Sequence, residues 1–205
     1  YREDVYGGKT PEETWALFLD ALKKGAIPIF EPGLKEIVAR NVKNGRLKFT
    51  TELDLENAQA VFLAVGTPTD PKTDNADMSI FFAAAKEVAK KLKKKCLVVT
   101  KSTVPVGTGA QLAKIFGSKA SIASNPEFLR EGNAVHDFMN PDRIVVGVNS
   151  PNCAKFLQNL YKPLKAPFMA TDIVSAELIK YASNTFLAAT GVNVGKSLHE
   201  PALLD

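Results

Sequence analysis

Short apolar runs without polar alternation constrain the fold of this chain more than any other sequence feature. The clearest are residues 60–65, 96–100 and 144–148, and helix-like patterns occupy the segments between them. An unalternated run suits a parallel strand that is covered on both faces, whereas a half-exposed strand alternates. Strands that alternate with helices therefore predict an α/β fold with a doubly wound parallel sheet.

The remaining pattern completes the expected order of elements. Thr10 can cap a helix and Pro11 fits its first turn, so a helix is predicted over residues 10–24. Further helices are predicted at residues 34–42, 79–94, 111–116, 151–160 and 175–189, and further strands at 47–51 and 121–123. We expect one domain over residues 1–170 and the start of a connecting helix over residues 171–205.

Composition excludes several classes of function. The 205 residues are 45% hydrophobic and carry a net charge of +4, much of it in the lysines that close the helix predicted at 79–94. Cations at a helix C-terminus complement its dipole, so this cluster does not predict a nucleic-acid surface. No apolar run reaches membrane-spanning length and no signal peptide is evident, so we expect a cytoplasmic protein. Cys96 and Cys153 have no zinc-like or disulfide-like spacing, and no metal site is predicted.

Polar segments follow three of the predicted strands. They are Gly66-Thr67-Pro68, Lys101-Ser102-Thr103 and Asn125-Pro126-Glu127. Parallel strands place their carboxyl ends along one rim, where loops and helix N-termini bind ligands. The sequence thus predicts a polar or phosphate-bearing ligand at this rim.

Each candidate residue at the rim has both a functional and an ordinary structural interpretation. Glu127 and Glu131 are four residues apart, so on a helical turn they would share a face, either beside a ligand or as ordinary helix-start acids. Thr67 and Thr103 could donate hydrogen bonds to a cofactor or could act as turn residues.

The helix predicted at residues 175–189 carries a second pair of candidates. Lys180 and Asn184 are four apart and would project together. They could stabilise an oxygen that becomes negative during a reaction. Alternatively, they belong to a solvated stripe in which Glu177 pairs with Lys180.

Two other features are set aside. His136 and His199 have no neighbours that suggest a catalytic triad. The segment 191–197 is similar to a phosphate-binding loop but is one residue short and follows a helix.

Six segments carry a family resemblance. Residues 27–34, 65–68, 101–108, 124–132, 141–145 and 175–181, in this order, resemble the UDP-glucose 6-dehydrogenase branch of the UDP-glucose/GDP-mannose dehydrogenase family. The resemblance covers about residues 25–188. Pro141-Asp142-Arg143 looks more like the UDP-glucose enzymes than the GDP-mannose enzymes.

The resemblance implies a reaction and a set of roles. The family oxidises UDP-glucose to UDP-glucuronate, a precursor for polysaccharide biosynthesis, by two hydride transfers to NAD through a cysteine-bound thioester. By resemblance, Lys180 and Asn184 would bind the substrate and stabilise the oxyanion, and Glu127 would assist thioester hydrolysis. The residues expected beside NAD are Thr67, Thr103 and Glu131. Those expected to line the nucleotide-sugar pocket are Phe128, Leu129 and Arg130. The family's long helix after Lys180 implies a homodimer.

The sequence also departs from the family. It contains no Gly-x-Gly-x-x-Gly, Asp4 is only a weak candidate for the ribose contact, and neither cysteine has the context of the thioester nucleophile. We therefore expect a partial Rossmann-like domain, lacking the first strand and the Gly-rich turn, that is inactive alone. The alternatives are a non-catalytic module that binds a nucleotide or nucleotide sugar, and a dehydrogenase for GDP-mannose or UDP-N-acetylmannosamine.

Overall fold

The computed structural model describes residues 20–22, 27 and 29–190, and it divides the chain into two units. The small unit comprises Tyr1–Leu53 and Glu131–Phe138, and the sheet unit comprises Asp54–Arg130 and Met139–Asp205. Residues 20–22 are helical, as predicted. The rest of the helix predicted at 10–24, Asp4, His199 and the segment 191–197 lie outside the described residues.

Five strands form the sheet of the sheet unit in the order β1-β2-β3-β4-β5. They are β1 (Ala60–Leu63), β2 (Cys96–Thr100), β3 (Ala120–Ser124), β4 (Ile144–Val148) and β5 (Phe168–Thr171). The first three run parallel, β4 runs antiparallel to β3, and β5 runs parallel to β4. The α/β class and the mostly parallel sheet are confirmed, and the β3–β4 junction is the departure from a wholly parallel sheet.

The reversal at β4 follows from the chain that precedes it. A parallel neighbour needs a crossover helix that returns the chain to the starting edge of the sheet. The connection from β3 to β4 instead contains Ala134–Met139, a helix of which all but the last residue belong to the small unit. The chain re-enters the sheet in the opposite direction, since β4 pairs antiparallel with β3.

Within residues 29–190, six α-helices have the following bounds. They are α1 (Leu34–Lys43), α2 (Ser79–Lys91), α3 (Thr108–Phe116), α4 (Ala134–Met139), α5 (Pro151–Tyr161) and α6 (Ile173–Ala189). Helix α6 begins two residues before the predicted start because Asp172 caps it, with Oδ1 accepting from the backbone N–H of Ser175 (2.9 Å).

Helices cover both faces of the sheet, which explains the unalternated apolar runs. All five residues of β2 are buried. Cys96 and Val98 pack on one face with residues of α2 and α3, whereas Leu97 and Val99 pack on the other face with residues of α5. Consecutive residues of this strand thus enter two separate cores.

Two sequence predictions need correction. Residues 47–51 form no strand: alternate side chains are half-buried, but no neighbouring strand within the described residues pairs with them. Strand β5 was not predicted, because four residues without distinctive alternation are defined only by their pairing with β4.

Hydrogen bonds to the side chain of Glu31 connect the two segments of the small unit. Both carboxylate oxygens of Glu31 accept hydrogen bonds at the start of α4, from the backbone N–H of Gly132 (2.7 Å) and of Ala134 (3.1 Å). Glu31 thereby satisfies free N–H groups at the start of that helix.

Among the described residues, no helix is long and apolar enough to cross a membrane. The same part of the chain contains no cluster of three His, Cys, Asp or Glu residues that could hold a metal ion.

Candidate functional site

The rim at the carboxyl ends of β1, β2 and β3 gathers the polar segments named from the sequence. Because β4 is antiparallel to β3, the residues that precede β4 lie at the same rim. Arg143 therefore faces the segment after β3 instead of lying at the far edge of the sheet. A wholly parallel sheet would have placed it away from the site.

The loops after β1 and β2 are tied together by side chains. Thr67 Oγ1 donates to the backbone oxygen of Thr103 (2.8 Å), and Ser102 Oγ donates to that of Val65 (2.6 Å). The side chain of Thr67 thus connects the loop after β1 to the loop after β2. The hydroxyl of Thr103 makes no hydrogen bond within the described residues, so it can still donate to a ligand.

An ion pair links the segment after β3 to helix α6. Lys180 Nζ lies 3.0 Å from Glu127 Oε1, and Glu127 Oε2 accepts from the backbone N–H of Leu129 (2.7 Å). Both carboxylate oxygens are therefore engaged. Lys180 is buried, with 8% of its surface exposed, so removing Glu127 would leave a buried amine without its ion-pair partner.

The ring of Phe128 holds two cations beside this ion pair. The centroid lies 5.6 Å from Lys180 Nζ and 5.2 Å from the guanidinium carbon of Arg143. A cation within about 6 Å of an aromatic face is attracted by the ring quadrupole. Arg143 belongs to a segment quoted in the resemblance, but sequence reasoning assigned it no place in the site.

Lys101 is a second lysine at the rim that sequence reasoning did not single out. Burial lowers the pKa of Lys101 to about 8; Glu127 raises this pKa and Lys180 lowers it further. The signal was present in the sequence, because Lys101 is the first residue after β2. An ammonium at that position shares the electrostatic environment of Glu127 and Lys180.

Glu177 does not pair with Lys180, so the interpretation of these residues as a solvated stripe is wrong. Glu177 is 2% exposed, and its carboxylate accepts from the backbone N–H groups of Gly107 and Gly109, both at 2.7 Å. Burial raises the pKa of this carboxyl, and the two N–H donors oppose the rise. Glu177 occupies the N-terminus of α3 and fixes α6 against it.

The segment after β3 is not helical, which corrects the expectation that Glu127 and Glu131 share a helical face. Residues 125–130 have no regular structure. Asn125 holds the segment extended, since its backbone N–H donates to Thr100 and its Nδ2 donates to the oxygen of Val145 (2.8 Å). Tyr161 completes the anchor by donating to Asn125 Oδ1 (2.5 Å).

The remaining residues that the sequence predicts for the site lie outside the Lys180–Glu127 ion pair. Leu129 and Arg130 are half-buried in the segment that carries Glu127, and Asn184 is exposed one turn after Lys180. Glu131 is exposed and belongs to the small unit, whereas Glu127 belongs to the sheet unit. His136 is exposed and lies 3.7 Å from Asp137 of that unit.

A mostly parallel sheet with helices on both faces and polar groups at the carboxyl ends of its strands is the architecture of dinucleotide-binding domains. Residues 18–165 match the model of the UDP-glucose/GDP-mannose dehydrogenase family, NAD binding domain. The chain belongs to this family, and NAD is its cofactor.

Curated relatives and solved structures agree with the family. The chain is 48% identical to UDP-glucose 6-dehydrogenase of Rhizobium meliloti and 47% identical to UDP-glucose 6-dehydrogenase YwqF of Bacillus subtilis. Each match covers 83% of this chain but only 42% and 40% of those proteins. The chain thus spans less than half the length of these relatives.

Two structures show the same fold. A UDP-glucose dehydrogenase from Pyrobaculum islandicum superposes with a TM-score of 0.78 at 43% identity, covering 84% of this chain and 42% of that one. A GDP-mannose dehydrogenase from Pseudomonas aeruginosa has the same TM-score at 29% identity, covering 86% of this chain and 43% of that one.

The residues at the rim fit part of the NAD molecule. The hydroxyl of Thr103 and the polar loop ends after β1 and β2 suit the ribose and amide groups of a dinucleotide. The N-terminus of α3 is filled by Glu177, so it does not serve as the pyrophosphate seat.

Proposed function

We propose that this chain supplies the NAD-binding part of an enzyme that oxidises UDP-glucose to UDP-glucuronate. The observation that carries the proposal is the Lys180–Glu127 ion pair of 3.0 Å at the rim of a family NAD-binding domain. The curated relatives named UDP-glucose 6-dehydrogenase, at 43–48% identity, support this substrate.

The paired charges suit the two halves of the reaction. When bound, NAD would supply the hydride acceptor that the oxidation of the sugar carbon needs. The buried side chain of Lys180 can stabilise an oxyanion, and the amide of Asn184, one turn further along α6, can donate to the same oxygen. Glu127 can position water and accept its proton when a thioester is hydrolysed.

Cys96 does not suit the role of thioester nucleophile, and Cys153, in α5, lacks the Gly-rich sequence context of the family's nucleophile. Cys96 is buried in β2, and burial raises the pKa of its thiol, which disfavours the reactive thiolate. We therefore assign the nucleophile to the remainder of the full-length protein, and we expect the 205-residue chain alone to form no NADH from UDP-glucose.

The segment 127–130 is the proposed nucleotide-sugar contact. Phe128, Leu129 and Arg130 follow the anchor made by Asn125, and the ring of Phe128 is held by Arg143 and Lys180. Thr67, Thr103 and Glu131 are the proposed NAD contacts. The division into residues 1–170 and 171–205 stays a prediction, and so does a cytoplasmic location.

A homodimer is the proposed assembly of the full-length enzyme. Helix α6 presents a row of exposed apolar side chains, Val174, Leu178 and Phe186. Exposed apolar surface of this kind is common at protein interfaces. Sedimentation of the full-length protein tests the assembly.

Other nucleotide sugars are the second candidate substrates. The GDP-mannose dehydrogenase structure, at 29% identity, and that of a UDP-D-MAnNAc dehydrogenase from Pyrococcus horikoshii, at 25% identity and a TM-score of 0.76, share the fold. A non-catalytic binding module would bind NAD or UDP-glucose tightly as the isolated chain. Calorimetric titration of the chain with each ligand tests for such a module.

Steady-state kinetics of the full-length protein tests the proposal. UDP-glucose should support NADH formation, measured by absorbance, better than GDP-mannose or UDP-N-acetylmannosamine. Lys180→Met should lower kcat by roughly 100- to 1000-fold, because a preorganised oxyanion donor is lost. The exposed Lys93→Met is the matched control and should leave kcat unchanged. Equal losses in both variants, or a preference for another sugar, would contradict the proposal.

A further inference from the structure

Two lysines at the rim compete for one carboxylate. The charged groups that face the Lys101 amine are Glu127, from the segment after β3, and Lys180, from α6. Glu127 pairs with Lys180 at 3.0 Å, and Lys180 also lies over the ring of Phe128. The amine of Lys101 has no hydrogen bond or ion pair within the described residues. Glu127 therefore holds Lys180 at ion-pair distance, whereas it acts on the amine of Lys101 only as a nearby opposite charge.

The backbone fixes Lys101 in this position. Its N–H donates to the oxygen of Leu63 (2.8 Å), which continues the ladder between β1 and β2. The neighbouring Ser102 bonds to Val65 (2.6 Å) and anchors the same turn. Lys101 is half-buried, so its side chain is partly desolvated yet still accessible from the rim.

We propose that Lys101 is the proton acceptor of this site, taking the proton of the substrate hydroxyl while Lys180 remains an ammonium paired with Glu127. The assignment rests on the proposed function. In the first oxidation the substrate O–H bond breaks, an N–H bond forms on Lys101 Nζ, and the electron pair of the carbon–hydrogen bond leaves as hydride to the nicotinamide oxidant. The resulting ammonium of Lys101 then releases its proton to water.

The lowered pKa of Lys101 agrees with its role as the proton acceptor. Burial disfavours the charged form of an amine, and a neighbouring ammonium disfavours it further. With a pKa of about 8, Lys101 is half neutral near pH 8, whereas an ordinary lysine is almost wholly charged there. A base with a pKa near the working pH combines availability with a useful proton affinity.

The first experiment titrates the lysine side chains of the 205-residue chain by NMR, without any nucleotide. One Nζ should titrate near pH 8, and its signals should be absent from both Lys101→Met and Lys101→Arg. Lys180→Met should raise that pKa by removing a like charge, and Glu127→Gln should lower it by removing an opposite charge. The exposed Lys93→Met should leave it unchanged. A Lys101 that titrates near 10.5, or a low pKa that belongs to Lys180, would overturn the assignment.

The second experiment measures the pH profile of the full-length protein. Below pH 8 the wild-type kcat/KM should fall about tenfold per pH unit, and Lys101→Met should lower it by roughly 100- to 10,000-fold and abolish this limb. NADH formation with an unchanged profile in Lys101→Met would refute the role of Lys101 alone. A wild-type protein that forms no NADH from UDP-glucose would refute the proposed function itself, whatever the NMR titration shows.

Discussion

Replacing Glu177 tests whether α6 is fastened to α3 through a buried carboxylate. The side chain is 2% exposed, and each carboxylate oxygen accepts one backbone N–H at 2.7 Å, from Gly107 and Gly109. Glu177→Ala removes both acceptors and leaves two N–H groups without a protein partner. Glu177→Gln keeps one acceptor and nearly the same volume.

The magnitude follows from the two hydrogen bonds. A hydrogen bond to a charged group contributes roughly 1.5–3 kcal/mol, and the cost of burying the carboxylate offsets part of the sum. Glu177→Ala should therefore lower the free energy of unfolding by about 2–4 kcal/mol, and Glu177→Gln by about half as much. For a chain of this size, the larger loss corresponds to a fall in Tm of roughly 5–15 °C.

The pH dependence has a definite sign. The pKa of Glu177 is raised above the ordinary value of 4.5, so the folded state holds the proton more tightly than the unfolded state. Its contribution to stability is therefore largest below pH 4.5 and declines as the pH rises through the folded-state pKa. This decline should be absent from Glu177→Gln.

Thermal melts followed by circular dichroism measure these effects. Glu87→Ala is the control, because Glu87 forms an exposed ion pair with Lys91 at 3.8 Å, and the loss of such a pair should change Tm little. A Glu177→Ala variant that melts within 1 °C of the Glu87→Ala control would refute the reasoning.

Three further predictions concern stability and use the same melts. Gly147→Ala should lower the free energy of unfolding by about 1–3 kcal/mol, because the new Cβ would lie 2.6 Å from the Cβ of Ala176. Gly66→Ala is the control and should leave stability unchanged, because no atom lies within 4 Å of a Cβ added there. Equal losses of stability in the two variants would contradict this packing. Tyr161→Phe should cost about 1 kcal/mol by removing the donor to Asn125, and an unchanged Tm would count against that bond. Asp172→Ala should lower Tm at neutral pH. Hydrogen bonds from Ser175 lower the pKa of Asp172, so the difference in Tm between the wild type and Asp172→Ala should narrow as the pH falls below 3.8. A Tm difference that does not change with pH would argue against the helix cap.

The apolar pattern predicts the strands because burial on both faces leaves a local signature. Strand β2, for example, is predicted over the same five residues that form it. Strand direction has no such signature, since an apolar run reads the same in a parallel and in an antiparallel strand. The place of Arg143 at the rim could therefore not be predicted, because it follows from the reversal between β3 and β4.

Part of the candidate site could likewise be predicted from the sequence, and part could not. Residues that follow strands, such as Thr103 and Glu127, could be assigned to the rim from topology alone. The hydrogen-bond partners of Glu177 could not be predicted, because they belong to a distant segment; Gly107 is 70 residues from Glu177. Which of two lysines near one carboxylate forms the ion pair depends on side-chain positions that no spacing rule gives.

The number of NADH molecules formed per UDP-glucose tests the central claim most directly. The full-length protein, supplied with limiting UDP-glucose and excess NAD, should form two NADH and one UDP-glucuronate per sugar consumed. That result corresponds to oxidation of the alcohol to the aldehyde and then to the carboxylate, the two steps for which Lys180 and Glu127 are proposed. Formation of one NADH per sugar with release of an aldehyde, or of none, would contradict the account.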